Sequence, residues 1–143
     1  MAKPVRLEVI TPSKLFYEGD VELVTVTTKT GSEGFMAGHS WATKLLAVGE
    51  LAIQEYGRSM DEMRIAAISG GFIDVKDTIV IFTDAAEWAE DIDMERALST
   101  KATIEDWIKS RTEYEDPRDI QKAQLEILKN INRMKIAGGR GKR

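Results

Sequence analysis

Residues 89–97 read Ala89-Glu90-Asp91-Ile92-Asp93-Met94-Glu95-Arg96-Ala97, or AEDIDMERA, and here the chain changes character. The stretch packs four carboxylates and one arginine into nine residues. Upstream, short apolar runs alternate with turns. Val5 to Ile10 places Val5, Leu7 and Val9 on one side, and Val21 to Thr28 is β-branched and half alternating. Lys14 to Tyr17, Thr43 to Val48, Leu51 to Glu55 and Met63 to Ile68 read as further strands, and Phe72 to Val75 with Ile79 to Phe82 as a hairpin. Thr30 to Gly34 reads as a turn. Many short strands divided by Gly, Asp and Ser predict an all-β sandwich or barrel. Downstream, Leu98, Lys101, Ile104 and Ile108 trace a helical face, with Trp107 beside it. Tyr114-Glu115-Asp116-Pro117 interrupts that helix, since Pro117 disfavours helix at Asp116 yet suits a first helical turn itself. Ile120, Ala123, Ile127, Ile131 and Met134 then recur every three or four residues. The loop between the helices is short, which predicts antiparallel packing. The expected fold class is therefore β + α, with residues 1–88 as the β unit and residues 89–143 as a helical hairpin ending in a basic tail, Gly138 to Arg143.

Composition narrows the function. The net charge is −4, from 24 acidic and 20 basic residues, which disfavours nucleic acid as the main partner. There is no cysteine, so disulfide frameworks and thiolate metal sites are excluded. No apolar run is long enough to cross a bilayer, and MAKPVRLEVI carries neither a signal-peptide core nor transit-peptide character. A soluble protein is expected, which leaves docking on a membrane complex open.

Little catalytic chemistry is available. His39 is the one histidine, so no metal-ligand set or hydroxyl–imidazole pair is spelled out; a ring satisfied at a loop edge is the simpler reading. Ser69-Gly70-Gly71 leads into a strand rather than a helix, so it marks positive φ or close backbone approach rather than a phosphate loop. Asp91 and Asp93 at a helix start are explained by capping: an aspartate accepts the backbone N–H groups that lack helical partners. In an antiparallel hairpin Arg96 lies within reach of Lys129 and Arg133, and such cations need an intervening anion or carboxylates such as Asp93 and Glu87. A triphosphate would satisfy them. Spacing alone favours the plainer alternative, in which Arg96 pairs with Asp93 along the helix and the second-helix cations are solvated.

The order of parts resembles the epsilon subunit of F-type ATP synthases across almost the full length. The matching stretches are Leu7-Glu8-Val9-Ile10-Thr11-Pro12; Gly34-Phe35-Met36-Ala37-Gly38-His39 with Leu45-Leu46 and Gly49; Ile68 to Val75; Asp84-Ala85-Ala86-Glu87; and Ile92-Asp93-Met94-Glu95-Arg96-Ala97. The resemblance implies a ten-stranded β-sandwich followed by a two-helix domain. It implies a non-catalytic rotor subunit with no required cofactor and no metal. The sandwich would dock on the gamma subunit and the c-ring, coupling proton or sodium flow to ATP synthesis. The hairpin would open toward the alpha/beta catalytic head and inhibit ATP hydrolysis. The complex would hold the chain peripherally at the cytoplasmic face of a bacterial cell membrane. ATP is implied as a regulatory ligand, contacted by Ile92, Asp93, Arg96 and Ala97 of the motif, by Glu87, and by Lys129 and Arg133 of the second helix. Lys129 replaces a family arginine, so a bidentate contact is lost there. The rival reading is a free-standing ATP-sensing adaptor of the same two-part plan.

Overall fold

The computed structural model describes residues 3–110 and 116–139. Its strands are β1 (Val5–Ile10), β2 (Leu15–Thr28), β3 (Gly31–Phe35), β4 (Ala42–Glu55), β5 (Arg64–Val75), β6 (Thr78–Phe82) and β7 (Ala86–Trp88). A 3-10 turn, Ala89–Asp91, leads to helix α1 (Met94–Lys109), and α2 spans Pro117–Gly139. Tyr114 and Glu115 of the expected break, and the basic tail from Arg140, lie outside the described residues.

The strand order is β1-β6-β5-β4-β2-β3, and β1 also pairs with β2. The sheet therefore closes on itself through β1, with β6 parallel to it and β2 antiparallel. Closure leaves no free edge on either side of β1. The alternation read along Val5, Leu7 and Val9 faces the interior, where these side chains meet Val21, Val24, Val26, Phe35, Leu51, Ile53, Ile73, Ile79 and Ile81.

The strand count is a correction: among the described residues there are seven strands, not ten. Three of them, of 14, 14 and 12 residues, run through points where the sequence suggested breaks. At Glu18-Gly19-Asp20, at Gly49 and at Ser69-Gly70-Gly71 the ladder continues, because residues on both sides keep backbone partners. Glycine there bends a strand instead of ending it. Gly70 and Gly71 adopt φ of 85° and 113°. A Cβ on Gly71 would run into the backbone carbonyl of Phe82, which is the close approach the double glycine predicted. Two strands were not read from the sequence. β3 forms where a turn was expected, by pairing with β2, and β7 forms by pairing with β5.

A second, smaller core joins the helices to the sheet. Ala52, Ile65 and Ala67 on β4 and β5 pack with Ala89, Ile92 and Ile136. The helical part meets these strands mainly through α2. Asn132 adds a hydrogen bond from its side-chain nitrogen to the Gly49 carbonyl, at 3.1 Å. Helix α1 packs on α2. Met94 opens α1 beside Gly138, and Thr103, Ile104 and Trp107 share a hollow with Asp119, Lys122 and Ala123. With one helix as its main support, α1 leaves Leu98 53% exposed, and Ile131 of the predicted α2 stripe is 43% exposed.

Candidate functional site

Glu87 reaches its position through two neighbours. β7 pairs Glu87 with Ala67 of β5. Trp88 is then clamped: Phe16 stacks on it at 4.4 Å and the Arg64 guanidinium lies 3.9 Å from the ring centre. Tyr17 meets the same ring edge-on and donates its hydroxyl to Glu55 at 3.0 Å. Burial, then the Glu55 carboxylate, pushes the Tyr17 phenol up to about 12.

Between this edge and α2 lies a cavity of about 490 Å³, lined by Ser69, Ala85, Glu87, Lys129, Asn130 and Arg133 among others. Arg133 donates from Nε to Glu87 Oε1 at 2.8 Å and from its second terminal nitrogen to Oε2 at 3.2 Å. The remaining terminal nitrogen donates to Asn130 Oδ1 at 3.2 Å. Asn130 is buried, and its amide nitrogen donates to the Glu126 carbonyl at 2.8 Å, which fixes its oxygen toward Arg133. Lys129 Nζ lies 3.4 Å from Glu126 Oε1. Two cations, Lys129 and Arg133, and two carboxylates, Glu126 and Glu87, are thus gathered in one hollow, and each cation has its own carboxylate partner.

The motif residues at the start of α1 do other work. Asp93 is the helix cap, with Oδ1 accepting from the Arg96 backbone N–H at 3.0 Å. The expected side-chain pairing of Arg96 with Asp93 is absent: the exposed Arg96 guanidinium has no ion-pair partner among the described residues. Ile92 belongs to the second core, and Ala97 is fully buried. Of the seven predicted site residues, Glu87, Lys129 and Arg133 line the cavity, whereas Ile92, Asp93, Arg96 and Ala97 do not.

Sequence reasoning missed Asn130. The available signal was an amide inside an apolar stripe, between Ile127 and Ile131, where asparagine is a poor helix former unless its side chain has a task. His39 lies at a loop edge after Gly38, with Nδ1 at 2.7 Å from the Ser40 carbonyl and its ring against Phe35 at 4.8 Å. Elsewhere, the Lys44 ammonium at 2.6 Å holds the Glu33 carboxyl below the usual carboxylate range. Asp116 does for α2 what Asp93 does for α1: it accepts from the Arg118 backbone N–H at 2.9 Å, which lowers its pKa, while Pro117 occupies the first helical position.

Comparison with known proteins agrees with this architecture. A family model described as the beta-sandwich domain of the ATP synthase Delta/Epsilon chain matches residues 4–89. The ATP synthase epsilon chain of Bacillus velezensis is 36% identical over 137 residues, covering 95% of this chain and 98% of that one. That of Caldanaerobacter subterraneus subsp. tengcongensis is 39% identical over 142 residues, covering 96% of each. Among solved structures, a chain of the Euglena gracilis mitochondrial ATP synthase (OSCP/F1/c-ring) has a TM-score of 0.74 at 23% identity, covering 90% of this chain and 78% of its own. A chain of the Tetrahymena thermophila mitochondrial ATP synthase central stalk and c-ring has a TM-score of 0.66 at 12% identity, covering 95% and 98%. At those identities the structures speak for the fold. The bacterial relatives, aligned through sandwich and helices alike, carry the assignment: the chain belongs to the ATP synthase epsilon-chain family.

Proposed function

We propose that the chain is a non-catalytic central-stalk subunit of an F-type ATP synthase, bound to the gamma subunit and the c-ring. The observation that carries this reading is the match to bacterial epsilon chains over nearly the whole of both sequences. Residues 1–88 dock the rotor, and residues 89–143 form the regulatory part. The helices form an antiparallel hairpin, a reading supported by Met94 beside Gly138. The complex holds the chain at the cytoplasmic face of the cell membrane; among the described residues no helix is long and apolar enough to cross one. The hairpin restrains ATP hydrolysis when it leaves the sandwich for the alpha/beta head.

ATP is the proposed regulatory ligand. Lys129 and Arg133 facing one cavity with Glu87, and an exposed Arg96 with no ion-pair partner among the described residues, support it. Ligand confined to the folded hairpin at a hundredfold excess over its Kd stabilises that form by about 2.7 kcal/mol, enough to decide between docked and open for a unit of about fifty residues.

Affinity-tagged protein purified from its source membranes is expected to bring the gamma subunit and c-ring with it. Recovery of the chain alone would favour the free-standing adaptor and overturn the rotor reading. Titration calorimetry with ATP is expected to show binding that Arg96→Ala abolishes.

A further inference from the structure

The Glu87–Arg133 pair spans the strand part and α2, which otherwise share a small apolar core and the Asn132–Gly49 hydrogen bond. Glu87 belongs to the strand part, held by β5 and by the Trp88 clamp. Arg133 belongs to α2. Beneath the pair, the apolar contact between α2 and the sheet is thin. Three of the six buried residues of that core are alanines, and α2 supplies Ile136 with the partly buried Ala137 beside it. Alanines bury little area, so their burial contributes correspondingly little. The polar contacts across the same seam are specific: two charge-assisted bonds from Arg133 to Glu87, and Asn132 to the Gly49 carbonyl. Asn130, on the same helix, accepts from the remaining terminal nitrogen of the guanidinium and so helps to orient Arg133 toward Glu87.

We propose that Glu87 and Arg133, aligned by Asn130, form a built-in latch that holds α2 against the sandwich with no ligand present. The Glu87 carboxylate is the cavity anion that Arg133 holds, and any phosphate that enters must compete with it for Arg133. The latch concerns the same cavity as the nucleotide reading but requires neither nucleotide nor rotor partners.

The full chain has no cysteine, so single cysteines introduced for Lys29 and Leu128, both exposed, can carry a fluorophore pair that reports the distance between sandwich and α2. The measurement is made on isolated protein without ATP. The compact form is expected to dominate in the parent. Glu87→Gln and Arg133→Gln are each expected to lower the compact-to-open ratio about fivefold, a modest figure because both side chains are partly solvated. About 1 M salt should lower the parent's ratio and leave the two variants nearly unmoved. The swap Glu87→Arg with Arg133→Glu should recover part of the loss, and Lys101→Gln, whose partner Glu105 lies within α1, should change nothing. Circular dichroism of the strands checks that the sandwich stays folded. Unchanged ratios in the single variants, or losses that neither salt nor the swap modulates, would overturn the latch. Failed co-purification with rotor subunits would not bear on it.

Discussion

Gly71, Asp93 and Tyr17 each make one local physical demand. At Gly71 a positive φ coincides with the Phe82 carbonyl where a Cβ would stand, so Gly71→Ala combines backbone strain with a clash against main chain. A loss of about 3 kcal/mol or more in urea unfolding is expected. Asp93→Ala removes the cap of α1 and should cost about 1 kcal/mol, read as lost helical signal, while Asp93→Ser should keep most of it. Tyr17 has its phenol pKa raised from 10.0 to about 12, so between those values the unfolded chain gives up a proton that the folded chain keeps. Stability is therefore expected to fall as pH rises from 10 to 12, and this component should vanish from the pH-dependence of Tm in Tyr17→Phe. The glycine pair and the aspartate cap were legible in the sequence, because each requirement is local. Asn130 was not, since its role depends on an arginine side chain and a strand that only tertiary structure brings together.

The clearest elements in the sequence were those whose pattern needs no partner to be recognised. β1 and β6 show their apolar runs, and α2 shows its stripe and its Asp116-Pro117 start. The elements missed were those created by pairing. β3, GSEGF, has almost no apolar side chains and exists because β2 offers it a ladder. β7 is three residues long and exists because β5 receives it. The long strands were divided too readily because glycine in a bent strand looks in sequence like glycine in a turn. The stripe on α2 also misled in part, since Ile131 is exposed while Ile136 is buried against the sheet. Ile136→Ala should therefore weaken docking by about 2 kcal/mol, seen as faster amide exchange across the seam, with little change in unfolding of the sandwich core.

Across the whole molecule, a closed sheet with a large apolar core carries a helical pair attached by a thin one. Unequal attachment makes the helical part the cheaper one to open, because regions with few buried contacts open at the lowest cost. Calorimetry of the intact chain should show ATP at a hundredfold excess over its Kd stabilising the helical part by about 2.7 kcal/mol, and Arg96→Ala should remove that gain. By itself the sequence determined the β + α division, the turning point at AEDIDMERA, the aspartate-capped start of α1, the Pro117 start of α2 and the family, because these rest on periodicity, local backbone and capping chemistry and motif order. Only the tertiary structure decided that β1, β6, β5, β4 and β2 close into a ring, that Glu87 meets Arg133 across 46 residues of chain, and that Arg96 stands apart from them. Those outcomes depend on which surfaces meet after folding, and contacts between distant segments leave no periodic signature along the chain.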